Sequence, residues 1–209
     1  MASSDAPDRS KWEELYATGA RPDKPPSPWI IETVNALPNE GTVADLAGGT
    51  GRHAVPLARG GRRVVVVDFV LQAVATAVSR APSVDGVVAD ASLLPLSPGS
   101  FGVVVVANFL DRTIFPDLVA LIQPGGYLVY ETYTLAHFDL VQRGLARGPQ
   151  TTEYLLRPDE LPRLASPLRV VQYFEGEVDD DAGRRCCARL LGQKARGQRP
   201  ELNKKLAGL

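Results

Sequence analysis

The sequence predicts one α/β domain on a doubly wound, mostly parallel sheet that ends in an antiparallel hairpin. Three observations carry this. Short runs such as residues 63–69 and 101–108 are apolar without alternation, and a strand apolar on both faces is covered on both faces, as in a parallel sheet between helices. These runs alternate with stretches of helical periodicity, residues 54–59 and 71–79 among them. Each run closes on a polar residue, Asp45, Asp68, Asp90 and Asn108 in turn. In open α/β sheets the carboxyl ends of the strands face the ligand.

A chain of 209 residues suffices for one such domain. Its 44% hydrophobic and 22% charged content is that of an ordinary globular protein. A net charge of −1 gives no global footprint for nucleic acid or an anionic membrane. The only cysteines, Cys186 and Cys187, are adjacent and cannot staple a fold. They face opposite sides of a strand, one expected buried and one half-exposed, and with no third thiol they are not a metal site. Residues 1–5 lack the basic region and apolar core of a signal peptide, and the apolar run 64–78 is interrupted by Asp68 and Gln72 and too short to span a bilayer. The expected compartment is a reducing cytoplasm, and the expected state a monomer or homodimer.

Residues 1–40 are expected to form a helical, proline-rich lid of the same domain. Trp12, Leu15 and Tyr16 stand at helical spacing within 11–17, after a polar start expected to be disordered. Four prolines in residues 22–28 stiffen the next segment, and a second helix is predicted over 29–37 before Pro38. The main unit, residues 41–192, begins with a strand over 43–46, a glycine turn and a helix over 54–59 that stops at Gly60 and Gly61. Strands are predicted over 63–69, 84–91, 101–108 and 127–132, helices over 71–79 and 115–122, and Leu93, Leu94 and Leu96 behind the third strand. Residues 169–177 and 184–192, around the turn Asp179-Asp180-Asp181-Ala182-Gly183, form the hairpin. Residues 193–209 are polar and basic, expected as a loose helix or disorder.

The pivotal stretch is Asp45-Leu46-Ala47-Gly48-Gly49-Thr50-Gly51. Glycine there permits positive φ and close approach of a ligand to bare backbone, while the following helix turns free N–H groups toward the turn. Two ligands fit such a cradle. Residues 49–54 match G-x-G-x-x-A, a dinucleotide pattern that is weak alone. Residues 45–51 resemble the first motif of class I S-adenosylmethionine (SAM)-dependent methyltransferases, with Ala47 where that family usually has its first glycine. Later signals separate the two. An acid after the third strand, a polar residue after the fourth, Pro124-Gly125-Gly126 before the fifth and the terminal hairpin resemble the methyltransferase set and not the dehydrogenase one. The resemblance covers roughly residues 12–192 and implies a seven-stranded, Rossmann-like architecture with SAM as cofactor. Pro25-Pro26-Ser27 and residues 155–161 resemble the small tellurite-resistance-type branch.

The resemblance assigns roles to particular residues. Asp45 holds the turn or reaches the cofactor's amino group, and could equally cap the next helix. Ala47, Gly48, Gly49 and Gly51 form the cradle. Asp68, seventeen residues beyond Gly51, accepts from the ribose hydroxyls, being otherwise a solvated strand-end acid. Asp90 and Ala91 meet the adenine edge, unless they are plain loop. Phe69 packs on adenine or ribose, or joins the core. Asn108, Phe109 and Leu110 line the methyl-transfer end, and Arg21 pairs with the methionine carboxylate or lies on the surface. Tyr133 and His137 follow the fifth strand and are the candidates for a catalytic group, although a lone histidine is commonly structural. Methyl transfer from a sulfonium needs proximity, alignment and exclusion of water rather than a metal or an oxyanion hole. The expected function is therefore transfer of a methyl group from SAM to a small molecule. The alternatives are a non-catalytic SAM-binding protein, an NAD-type oxidoreductase and RNA modification through the basic tail.

Overall fold

A computed structural model describes residues 9–18 and 24–196. The expected disorder of residues 1–8, the role of Arg21 and most of the basic tail lie outside the described residues. The sheet has seven strands in the order β3-β2-β1-β4-β5-β7-β6. They are β1 (Thr42–Leu46), β2 (Val64–Asp68), β3 (Val84–Val88), β4 (Phe101–Ala107), β5 (Ile122–Tyr133), β6 (Arg169–Val178) and β7 (Arg185–Gln193). The first five pair in parallel, and β7 runs antiparallel to both β5 and β6. Order reverses between β1 and β4, which opens a crevice at their carboxyl ends.

The valine runs explain the centre of this sheet. Every residue from Phe101 to Val106 is buried, because helices cover both faces. On one face α2 (Pro28–Ala36), α3 (Ala54–Arg59) and α4 (Leu71–Arg80) enclose Ile30, Val34, Leu57, Val66 and Val105. On the other, α5 (Phe115–Leu121) and α7 (Glu160–Leu164) enclose Val104, Leu118, Leu128, Tyr130 and Leu161. α1 (Arg9–Ala17) rests on α4, and none of its described side chains joins either core.

Cations close two helix ends on the amino side of the sheet. The buried Arg62 guanidinium donates to the carbonyls of Val34, Leu37 and Pro38 at the end of α2. Lys194 Nζ donates to Val119, Ala120 and Ile122 oxygens at the end of α5. Each cation gathers carbonyls at the end of a helix, where intrahelical donors run out.

Three expectations need correction. Both thiols are buried, Cys186 at 7% and Cys187 at 1% exposure, because α6 (Leu135–Gln142), absent from the sequence reading, covers β7. Burial pushes the Cys187 thiol up to about 12, so it is inert near neutrality. Leu93 is 81% exposed while Leu94 and Leu96 pack on the core. The third strand ends at Val88, since Asp90 instead accepts from the Ser92 N–H and hydroxyl in a turn.

Candidate active site

The cradle is built by two carboxylates on neighbouring strands. Asp45, at the end of β1, is 1% exposed and its Oδ2 accepts from the Ala54 N–H at 3.1 Å, closing the start of α3. Asp68, at the end of β2, accepts the Gly49 N–H on Oδ2 at 2.9 Å and the Val70 N–H on Oδ1 at 3.0 Å. The turn is thus clamped from both sides. Gly49 has φ +57° and Gly51 φ +80°, and a Cβ on Gly51 would stand 2.8 Å from Ala77 Cβ, so glycine is required there on two counts. Ala47 occupies the same left-handed region, φ +52°, and carries the strain that glycine would avoid.

Asp45 Oδ1 is buried without a hydrogen-bond partner among the described residues. Burial, only partly offset by the Ala54 N–H and Arg52, pushes the Asp45 carboxyl up to about 7. Beside it, His53 precedes α3, is 2% exposed, and accepts the Ser27 N–H on Nε2 at 3.1 Å. Burial, then the charges of Arg52 and Arg185, hold its pKa well below 6.5, so the ring is neutral.

A second polar assembly stands at the carboxyl end of β5. Glu131 accepts from the Ser27 hydroxyl at 2.9 Å, from Arg185 at 3.2 Å and from Arg189 Nε at 2.7 Å. Asp180, from the β6–β7 turn, binds the same two arginines at 2.6 and 3.1 Å. Glu131 and Arg189 face each other across the β5–β7 register, and the Arg189 guanidinium lies 5.5 Å from the Trp29 ring and 6.0 Å from that of Phe174. Two acids and two guanidiniums balance in charge, so burial is supportable. The sequence reading missed this group. Its signal was present: an acid inside the buried strand 127–132 demands cations, and Arg185 and Arg189 share one strand face.

Comparison with known proteins now bears on this geometry. Residues 43–126, the span from β1 into β5, match a family model described as a methyltransferase domain. Over this span the chain is similar to that family. The demethylmenaquinone methyltransferase of Renibacterium salmoninarum is 31% identical over 145 residues, covering 66% of this chain and 56% of the relative. That of Paenarthrobacter aurescens is 33% identical over 129 residues, 59% of this chain and 48% of the relative. The chain spans about half the length of these curated relatives. A SAM-dependent methyltransferase structure from Methanosarcina mazei superposes with a TM-score of 0.64 at 22% identity, over 82% of this chain and 99% of that one, which shows a shared fold. The class I resemblance and the seven-stranded architecture read from the sequence are borne out.

The structure places the other expected site residues unevenly. Gly48 lies within the clamped turn, its N–H donating to the Val67 carbonyl at 3.1 Å. Asn108 ends β4 in the left-handed region, φ +54°, with its N–H on the Glu131 carbonyl at 2.8 Å. Phe109 is half-buried and its carbonyl accepts from Tyr130 Oη at 2.7 Å. Leu110 corrects the reading: it is 5% exposed and belongs to the core, because the chain turns inward at Arg112–Ile114. Phe69 is half-buried and outside both cores, beside the cradle rather than beneath it. Asp90 is exposed and Ala91 half-buried at the rim of β3. Asp68 is not a solvated acid, being 6% exposed and bonded to backbone. His137 is fully buried on α6, where Nδ1 accepts from the Cys186 N–H at 3.3 Å and Nε2 meets the Arg147 carbonyl at 3.4 Å. Its ring stacks on Tyr133 with centroids 4.3 Å apart. Both ring nitrogens are engaged, and burial lowers its pKa, so it pins α6 to β7.

Proposed function

We propose that this chain transfers a methyl group from SAM to a small-molecule acceptor at the carboxyl edge of the sheet. The carrying observation is the glycine turn clamped by Asp45 and Asp68 beside the strand-order reversal. The residues fit the cofactor. Gly49 has no side chain and meets Tyr16 Oη where a Cβ would stand, Asp68 presents its carboxylate at the turn, and Asp45 Oδ1 lacks a donor among the described residues. In this reading Asp68 accepts from the ribose hydroxyls and residues 47–51 face the amino-acid end. Asp90 and Ala91 border the adenine, while Asn108 and Phe109 border the methyl end. Arg21 remains assigned to the methionine carboxylate.

SAM supplies an electrophilic methyl group whose carbon–sulfur bond breaks as an acceptor lone pair attacks, leaving a neutral thioether. The work of the chain is to align the two partners and keep water out. Neither His53 nor His137 acts as general base here, since each is buried with a structural hydrogen bond. The name borne by the relatives directs the first acceptor trial to an electron-rich hydroquinone ring. Among the described residues no helix is long and apolar enough to cross a membrane. A cytoplasmic monomer or homodimer completes the reading. Calorimetry with SAM and with NAD, followed by label transfer from methyl-labelled SAM to hydroquinones, tests it. Micromolar-class SAM binding with silent NAD is expected; tight NAD and silent SAM would contradict the reading.

A further inference from the structure

We propose that Tyr16 is a cofactor-binding residue whose hydroxyl hydrogen-bonds the polar atoms of SAM lying over Gly49. This rests on the reading of the glycine turn as the SAM cradle and names a wall of it outside the family-matched span 43–126. A Cβ built on Gly49 would stand 2.5 Å from Tyr16 Oη, 3.5 Å from Cζ and 3.8 Å from Cε1. The approach is thus made by the hydroxyl end of the phenol and not by the ring face. It is made at the one turn residue whose N–H is held by Asp68. The hydroxyl therefore stands against the backbone of the turn that the reading assigns to SAM.

Tyr16 is not a core residue. Trp12, Leu15 and Tyr16 share one face of α1, yet each is only half-buried and none joins either hydrophobic core. Trp12 lies one turn before Tyr16, with ring centroids 6.3 Å apart and planes at 31°. The helix leans on α4, which follows Asp68 directly, so its aromatic face is set over the cradle. A phenol both donates and accepts, so it can serve a ribose hydroxyl or the amino-acid end of SAM equally well. Gly49 gains a second reason to be glycine, since any side chain would displace the phenol from that point.

The test is titration of wild type, Tyr16→Phe and Tyr16→Ala with S-adenosylhomocysteine and with methylthioadenosine, which lacks the amino-acid end. Trp12 fluorescence is read in a Trp29→Phe background, leaving Trp12 as the only tryptophan. Tyr16→Phe should weaken S-adenosylhomocysteine about tenfold, the loss of one hydrogen bond. Tyr16→Ala should weaken it further, and both variants should melt unliganded as wild type does. Equal loss for both ligands places the bond on the sugar, and loss confined to S-adenosylhomocysteine places it on the amino-acid end; either result supports the proposal. Wild-type affinity in Tyr16→Phe overturns it, whatever Tyr16→Ala does. Failure of the wild-type chain to bind either ligand contradicts instead the reading of the cradle, and the proposal falls with it.

Discussion

The two halves of the sheet's carboxyl edge are held by different chemistry. At β1 and β2, Asp45 and Asp68 bond backbone N–H groups of the turn and the helix starts, 2 to 19 residues away in the chain. At β5 and β7, Glu131, Asp180, Arg185 and Arg189 bond one another across separations of up to 58 residues. The first arrangement fixes a backbone shape and leaves Asp45 Oδ1 without a donor among the described residues. The second consumes its own charges and fixes how the hairpin and Ser27 meet the sheet. A cradle and a buttress thus share the carboxyl edge of one sheet.

The largest effect should come from the buttress. Glu131→Ala removes the acceptor of Ser27 and leaves Arg185, 4% exposed, short of an anion. Breaking a buried pair from one side costs about 3–5 kcal/mol, so the urea midpoint should fall steeply. Glu177→Ala, which breaks the exposed pair with Arg184, should leave the midpoint where it is. Equal behaviour of the two variants would erase the distinction drawn here.

Asp68→Ala probes the cradle. Two backbone N–H groups lose their acceptor, so unliganded stability should drop by about 1–3 kcal/mol. An unchanged urea midpoint would make Asp68 the free strand-end acid that the sequence allowed.

These predictions also show what was legible. The turn was readable because its information is local: glycines and acids lie within one strand–turn–helix unit, and the helix over 54–59 matches the observed α3. Leu110 misled because its fate depends on the turn at Arg112–Ile114, which no periodicity marks. α6 and α7 escaped for a related reason. Residues 135–142 interleave apolar positions with a histidine that is buried only because β7 supplies a partner, and α7 is five residues long with Pro162 inside it. The buttress needs three segments that only the fold brings together.

A pH series separates two slopes that oppose each other in the wild type. Asp45 releases its proton near 3.8 when unfolded and near about 7 when folded, so the folded chain holds more protons between those values. Its contribution therefore falls as pH rises through that window. His53, and His137 with it, takes up a proton below about 6.5 only when unfolded, so their contribution is lost as pH falls below that value. Melting of Asp45→Asn should show the rising histidine slope, and that of His53→Gln the falling carboxyl slope. Parallel profiles for both variants would refute the assignment. The smallest effect is expected of Ala47→Gly, which relieves φ +52° and should raise stability by at most about 1 kcal/mol, seen as a small gain in melting temperature.

The central claim is that the carboxylate-clamped turn is where SAM sits, and titration of wild type and Asp68→Ala with SAM tests it most directly. Loss of a charged acceptor to ligand hydroxyls costs about 1.5–3 kcal/mol, so the dissociation constant should rise roughly ten- to a hundredfold, with SAM-induced thermal stabilisation shrinking to match. Equal dissociation constants for the two proteins would contradict the claim.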